Sequence, residues 1–443
     1  MNLNTDQIVA LAPDAASIKA GRGLVKPSKW PTLGQSEDML WGECQGSGST
    51  PYQVSVDLKA LVCKCTCPSR KFPCKHGLGL LLLAAENPAT VKTGEPPLWA
   101  ANWLATRREK AEKKAAAITE KKSAPVDAET VAQRNAKRLK QMREGGAELA
   151  LWLVDQVRHG LANWPQQSPA YFADVAARMV DAKAPGLANE ILRLGEMIPS
   201  GAGWMQRVLG QLGRLHLLAE GLSRFETLPA PAQADLRTWL GWPLREEDLL
   251  PDAPRCTDDW AIVGQVFTER DRLWERRTWL MGQQCAQPAM LLDFMHGQRN
   301  FPVPLAVGTQ VKTTLAFYPG AWPLRALLTE PPQQTCPLHG PFPAHSDFDA
   351  VLEDRAKALA ANPWLLTYPF ASEEVIPVRR GNDWRLRDVQ GVELSLKMVD
   401  QQAWQLLAIS GGQPIRIFGE WSGNDLRVLS AWTDSFHSFA TTP

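Results

Sequence analysis

The chain has 443 residues, of which 44% are hydrophobic and 21% charged, and its formal net charge at pH 7 is +1. This length and apolar content predict about two to four domains with buried cores, which excludes a wholly disordered chain and a small module that folds only around its metal. A net charge so close to zero does not by itself point to nucleic acid or to a membrane surface as a partner.

The first residues lack the basic and apolar segments of a secretory signal peptide. The longest apolar run, residues 77–85, has nine residues, and a membrane span needs roughly 20. We therefore predict a cytoplasmic protein with no membrane partner. In such a reducing compartment, clustered cysteines are metal ligands more often than disulfides.

Composition divides the chain into four regions, which together predict an α+β multidomain protein. Residues 1–96 carry a cysteine cluster, and within them strands at 39–44 and 52–58 predict a β-hairpin around a glycine-rich turn. A helix is predicted from about Cys74 to Ala85. This region is expected to be a small domain of a hairpin and a helix.

Residues 97–146 are dominated by Lys, Arg, Glu and Ala, with twelve basic and six acidic side chains between 107 and 144. We interpret this segment as a basic linker or a pair of solvated helices. It also contributes to an uneven distribution of charge between the two parts of the chain, which a net charge of +1 does not show. Residues 1–144 hold 22 basic and 14 acidic side chains, whereas residues 145–443 hold 26 and 33.

Residues 147–252 show helical periodicity, for example Val208, Leu212, Leu215 and Leu218 on one face, and predict an all-α domain. Residues 253–443 predict a mainly antiparallel β domain with one short helix at 348–360. The strands are expected at 260–267, 289–294, 311–317, 384–389, 392–398, 404–409, 415–421 and 426–432.

The cysteine cluster has the composition of a metal site. Residues 63–76 contain four cysteines and a histidine, and structural zinc takes four sulfur or imidazole ligands at tetrahedral corners. Two cysteines in a Cys-x-Cys pair on an extended segment lie on one side of the chain. Cys74 and His76 begin the predicted helix, where the dipole favours thiolate. Cys63-x-Cys65 and Cys65-x-Cys67 both satisfy this pattern, so spacing alone leaves the choice of the first pair open.

Cys65-x-Cys67, followed after six residues by Cys74-x-His76, resembles the SWIM zinc finger, whose pattern is CxC, a variable spacer and CxH. The flanking residues 40–48 and 67–77 are similar to bacterial SWIM-domain proteins in particular, and residues 177–181 and 185–188 extend this likeness more loosely. The Pro-Ser after Cys67 follows the family pattern. The resemblance therefore implies one structural Zn²⁺ held by Cys65, Cys67, Cys74 and His76.

Such a closed site leaves no position for water, and no catalytic constellation is evident elsewhere, so we predict a binding module and not an enzyme. Basic residues next to the ligands predict nucleic-acid binding, most simply to DNA, through backbone phosphates. The predicted contacts are Lys64, Arg70, Lys71 and Lys75.

The resemblance also implies an alternative. SWIM domains are expected to bind DNA or proteins, and bacterial members similar to this chain are often encoded near MoxR-type AAA ATPases and von Willebrand factor A proteins. That context implies a protein-interaction role, as an adaptor subunit of an ATPase-linked complex. The charged surface near the finger is equally compatible with a solvated face that binds nothing.

Overall fold

An N-terminal α/β region, a set of packed helices and a large β region follow one another along the chain, as the composition predicts. The computed structural model describes residues 5–13, 15–46, 48, 50–59, 61–69, 71–120, 128–166, 169–198, 203–244, 246–270, 272–297, 299, 301–332, 335–423 and 425–439. Over these residues, the predicted α+β class and its order of regions are confirmed.

The N-terminal region is a five-stranded sheet with three helices, in the strand order β4-β3-β2-β1-β5. Its elements are α1 (Thr5–Ala10), α2 (Ala15–Arg22), β1 (Thr32–Gln35), β2 (Met39–Cys44), β3 (Tyr52–Asp57), β4 (Val62–Cys65), α3 (Lys75–Glu86) and β5 (Lys92–Thr93). The predicted hairpin is the β2–β3 pair, in antiparallel register from Met39 opposite Asp57 to Cys44 opposite Tyr52. The hairpin is therefore the centre of a larger sheet, and the short flanking strands were not predicted.

Helix α3 forms the centre of this region. Its residues 76–84 are all buried, because α1 and α2 pack on one side of it and the sheet on the other. A helix that is apolar on every side belongs inside a core, and its sequence of leucines, glycines and alanines has that character. The core of the region joins Leu78, Leu81 and Leu83 to Leu40 and Val56 of the sheet.

The basic segment after this region is helical. It contains α4 (Leu98–Glu120) and the first half of α5 (Ala128–His159). The start of α4 packs against the sheet, where Ala100 contacts Met39 and Trp41 in a small apolar cluster. The division predicted after residue 146 falls inside α5, which continues without interruption into the next region.

Part of the basic charge of this segment is neutralised by the N-terminal region itself. Arg108 pairs with Asp38 at 2.8 Å, and Arg107 pairs with Asp57 at 3.5 Å. Lys59 also pairs with Asp38, at 2.6 Å. The two arginines therefore help to attach α4 to the sheet, and all three cations are paired with acids of the N-terminal region.

The central helices pack around one apolar core. They are the second half of α5 together with α6 (Pro169–Asp181), α7 (Pro185–Met197), α8 (Trp204–Ser223) and α9 (Ala230–Trp239), and the short helix α10 (Glu246–Leu249) follows them along the chain. The predicted face of α8 is confirmed, since Val208, Leu212, Leu215 and Leu218 are all buried. We call α5 to α8 the bundle.

The β region contains two six-stranded sheets. The first has the order β10-β8-β7-β6-β9-β11 and the second β14-β13-β12-β15-β16-β17. The strands of the first are β6 (Arg255–Arg270), β7 (Leu273–Gly282), β8 (Pro288–His296), β9 (Thr309–Phe317), β10 (Arg325–Leu328) and β11 (Thr335–Pro337). Those of the second are β12 (Tyr368–Arg380), β13 (Asp383–Asp388), β14 (Glu393–Ser395), β15 (Ile415–Trp421), β16 (Leu426–Trp432) and β17 (Phe436–Ser438).

Two helices accompany these sheets, α11 (Phe348–Ala361) and α12 (Asp400–Ser410). The first confirms the helix predicted at 348–360. The strand predicted at 404–409 is wrong, because these residues lie in α12. Ala403, Leu406 and Ser410 are buried at helical spacing, and Gly411 ends the helix with a left-handed φ of 57°.

The two sheets are joined by an apolar cluster that includes Trp279 and Phe418, and by a buried polar contact. Glu420 accepts hydrogen bonds from Arg277 Nε at 2.6 Å and Nη2 at 3.2 Å. It also accepts one from Trp279 Nε1 at 2.7 Å. Ser430 Oγ donates to Val263 O at 2.6 Å across the same junction. The β region is therefore one packed unit.

The bundle and the β region are in direct contact. Trp364, which precedes β12, is buried in the core of the bundle. A side chain at Gly221 of α8 would place its Cβ 2.8 Å from that indole ring. Nearby, the Asp235 carboxylate of α9 accepts a hydrogen bond from the Ala321 N–H at 2.8 Å.

Burial at this contact raises the pKa of Asp235 to about 6 from an ordinary value of 3.8. The folded state therefore holds this proton more tightly than the unfolded chain, so the group favours folding at low pH, and this contribution is lost as the pH rises through about 6.

We expect Asp235→Asn to gain stability relative to the wild type as the pH increases from about 4 to about 7. Urea unfolding at several pH values measures this difference. Asp434→Asn, at an exposed position, is the control, and parallel pH profiles for wild type and Asp235→Asn would contradict the prediction.

Candidate metal centre

Four potential ligand atoms converge at the end of β4 and the start of α3. The sulfurs of Cys65, Cys67 and Cys74 and a ring nitrogen of His76 all lie within 4.8 Å of one another. Cys65 ends β4, Cys67 lies in the turn that follows, and Cys74 and His76 belong to the first turn of α3. The structure thus brings together all four residues that the motif predicts.

The sheet determines where the first two cysteines lie. Cys65 is opposite Val54 in the β3–β4 ladder. The pairing continues beyond β4, since Thr66 N donates to Gln53 O at 3.1 Å and Gln53 N donates to Thr66 Oγ1 at 3.0 Å. The ladder therefore holds the Cys65–Cys67 segment extended until the chain turns toward α3.

Cys74 is the N-cap residue of α3. Its backbone is extended, with φ −73° and ψ 168°, and its Sγ accepts a hydrogen bond from the Gly77 N–H at 3.5 Å. The unpaired N–H groups and dipole at a helix start favour negative charge at this position. Cys74 is thus suited to be a thiolate before any cation binds.

The pKa values of Cys74 and Cys65 also favour Cys74 as the thiolate. A hydrogen bond from the Cys65 thiol, with further donation from His76 and Gly77, lowers the pKa of Cys74 to about 4. The same bond, together with burial, raises the pKa of Cys65 far above its ordinary value. The hydrogen bond thus favours negative charge on Cys74 over Cys65. A divalent cation held by these atoms would favour thiolate on all three cysteines.

His76 is buried, and one face of its ring packs against Tyr52. It is 4% exposed, and the ring lies 4.8 Å from that of Tyr52 at an angle of 34°. Its Nδ1 is 3.7 Å from Cys65 Sγ. The imidazole therefore presents Nδ1 to the cysteines.

The structure leaves Cys63 outside this group. It is 4% exposed and belongs to the apolar core of the region. Burial raises the pKa of its thiol well above the ordinary value, and a Cβ on Gly77 would be 3.2 Å from its Sγ. Cys44 in β2 is fully enclosed as well. Both are core residues.

The predicted phosphate-contacting residues lie around the group. Lys64, Lys71 and Lys75 have exposed side chains, and they flank Cys65 and Cys74 along the chain. Arg70 lies outside the described residues. Lys59, whose basic charge also lies near the finger in sequence, pairs with Asp38 instead.

Three thiols and one imidazole are a donor set of the kind that zinc takes in structural sites, and four protein ligands leave no position for a reacting water. The chemistry available here is therefore the fixing of the β4 turn to the start of α3. This couples metal binding to the folding of the region.

Comparison with protein families identifies two parts of the chain. A SWIM zinc finger matches residues 52–85, from β3 through most of α3, and this span includes all four donors. A SWIM-associated four-helix bundle domain matches residues 137–240. The chain thus carries a SWIM zinc finger followed by the helical domain associated with it, which confirms the resemblance seen in the sequence. No curated protein and no solved structure matches the chain.

Neither family match extends into the β region. Within the described part of the chain, no helix combines the length and the apolar character that crossing a bilayer requires.

Proposed function

We propose that this protein is a non-enzymatic zinc-binding module of the cytoplasm that binds DNA through the surface around its finger. One structural Zn²⁺ is held by Cys65, Cys67, Cys74 and His76. The observation that carries the proposal is the convergence of these four donors beside exposed lysines.

The donor set supports zinc in particular. Thiolate and imidazole ligands favour zinc over magnesium or calcium, which take oxygen ligands. The Gly77 N–H, already directed at Cys74 Sγ, is the kind of outer contact that orients a metal ligand. When bound, the ion supplies a rigid cross-link between strand and helix and a local positive charge.

The DNA part of the proposal depends on a small basic surface formed by Lys64, Lys71 and Lys75, to which the sequence adds Arg70. Charge of this kind contacts phosphates, and the affinity it gives is strongly dependent on salt. Lys59, Arg107 and Arg108 do not enlarge the surface, because they pair with Asp38 and Asp57. We therefore expect weak binding with few phosphate contacts.

Titration of a random-sequence DNA duplex at several salt concentrations tests this expectation. Each phosphate contact contributes roughly 0.9 to the slope of log K against log salt. Replacing Lys64, Lys71 and Lys75 together by glutamine should therefore lower the slope by about 2 to 3. Fluorescence anisotropy of labelled DNA gives both affinity and slope.

The matched control replaces three lysines of the β region, Lys312, Lys357 and Lys397, which are also exposed. It has the same net charge as the finger variant and should bind DNA as the wild type does. An equal loss of DNA affinity in both variants would show that the attraction depends only on net charge. If the wild type does not bind DNA even at low salt, the DNA role is rejected.

The second candidate is an adaptor for a MoxR-type AAA ATPase or a von Willebrand factor A protein. The observation that favours it is an apolar stripe on α8, where Met205, Leu209 and Leu217 are 49%, 54% and 49% exposed at intervals of four and eight residues. Exposed apolar stripes mark protein contacts more often than nucleic-acid contacts. Leu209→Gln with Leu217→Gln should abolish capture of such a partner and leave DNA binding unchanged.

A further inference from the structure

A second group of metal-ligand atoms lies in the β region and shares no residue with the finger. Cys256 Sγ, a carboxylate oxygen of Asp258 and Cys285 Sγ lie within 4.8 Å of one another. We propose that these three residues bind a second zinc ion and leave one coordination position open to solvent.

The fold assembles this group from two separate segments. Cys256 and Asp258 are two residues apart near the start of β6, so their side chains share one face of the strand. Cys285 lies in the loop after β7, and the pairing of Gly282 with Trp260 brings that loop alongside them. Gln283 N donates to Asp259 O at 3.1 Å, which fixes the loop against β6.

The carboxylate is held in place by the backbone. Asp258 is 4% exposed, and it accepts hydrogen bonds from Cys285 N at 2.9 Å and from Gln284 N at 3.1 Å. A buried carboxylate held by backbone N–H groups thus faces two thiols, and ligating carboxylates are commonly oriented by such outer hydrogen bonds.

Gly282 provides the space in which the three donors meet. A Cβ at this position would collide with Cys285 Sγ and would lie 2.7 Å from Asp258 Oδ2. The close approach of thiol and carboxylate therefore requires glycine here.

The types of donor atom indicate which ion binds, and the exposure of the three residues indicates where the open coordination position lies. Two thiolates with one carboxylate suit zinc, whose catalytic and ligand-exchanging sites have three protein ligands and one open position. Asp258 is buried, Cys256 is half-buried and Cys285 is exposed, so the open position faces solvent on the side of Cys285. This site would therefore exchange its fourth ligand, which the four-donor finger does not do.

The test measures bound zinc in the full chain, after chelator treatment and reloading under a non-thiol reductant, by dialysis and atomic absorption. Wild type should bind one ion more than Cys285→Ser and one more than Gly282→Ala. Cys336→Ser, which removes another half-buried thiol of the β region outside the group, should keep the wild-type content. Cys74→Ser should lose only the finger ion, which separates the two sites.

Because Cys285 is exposed, its serine variant should fold as the wild type does, and circular dichroism with urea unfolding checks this. Equal zinc in wild type and Cys285→Ser overturns the proposal. So does a Cys256–Cys285 disulfide that persists under the reductant, since a disulfide leaves no thiolate for the ion.

Discussion

Cys74→Ser should remove the finger zinc and unfold residues 39–85, while the bundle and the β region keep their structures. Serine is itself a favourable N-cap, so the substitution preserves the hydrogen bond to the Gly77 N–H and removes only the soft donor. The expected loss of structure therefore reports the absence of the metal and not the absence of a helix cap. Zinc content and hydrogen exchange, segment by segment, provide the measurement.

The size of this effect follows from the position of α3. Zinc contributes on the order of 10–16 kcal/mol to the folding of isolated finger peptides. Here the proposed ion would fix the start of α3, the helix around which α1, α2 and the sheet pack. Loss of the ion should consequently spread through the core of the N-terminal region. Retention of full zinc, or of full exchange protection in residues 39–85, would contradict the prediction.

Cys63→Ala is the matched control for the ligand assignment. It removes a thiol two residues from Cys65 that lies in the apolar core, so it should lower stability moderately and keep the zinc. If Cys63→Ala lost zinc while Cys67→Ser kept it, the ligand pair would be Cys63 and Cys65. The two variants together thus decide between the alternatives that spacing leaves open.

Glu420→Ala should destabilise the β region by about 3–5 kcal/mol, the usual cost of breaking a buried ion pair by removing one partner. The change leaves the Arg277 guanidinium, between the two sheets, with only its longer contact to Glu275 at 3.4 Å, and it also removes the acceptor of the Trp279 indole N–H. Urea unfolding followed by tryptophan fluorescence measures the loss. Trp279 is itself a reporter of this junction, because it is fully buried there.

Glu393→Gln provides the comparison for Glu420. Glu393 pairs with Arg380, whose side chain is 57% exposed, and exposed pairs contribute about 0–1 kcal/mol. A small loss of unfolding free energy at Glu393 and a large loss at Glu420 would show that burial makes the Glu420 pair important for stability. Comparable effects at both positions would contradict the role given to the buried pair.

The candidate metal centre was predictable because its determinants are local. The four donors lie within twelve residues, and a strand, a turn and a helix start are enough to bring them together. Spacing alone left Cys63 open as a ligand and the family resemblance implied its exclusion, for which the structure gives the reason, since the Cys63 side chain lies in the core.

Features that depend on contacts between distant segments were not predictable. Cys256 and Cys285 are separated by most of two strands, and only the pairing of β6 with β7 brings them together. Similarly, nothing in the basic segment shows that Arg107 and Arg108 pair with acids of the sheet. Helix α12 was predicted as a strand. Its apolar segment is too short to distinguish helical from strand periodicity, and the capping glycine is the additional sign of a helix.

The burial of α3 restricts how this finger can read a nucleic acid. Zinc fingers of the ββα type insert an exposed helix into the major groove and contact base edges from it. Here residues 76–84 are enclosed on all sides by their own region, so the helix has no face to place in a groove. A DNA duplex would meet only Lys64 of the edge strand β4, Lys71 of the turn and Lys75 at the exposed start of α3, which predicts similar affinity for unrelated sequences of equal length.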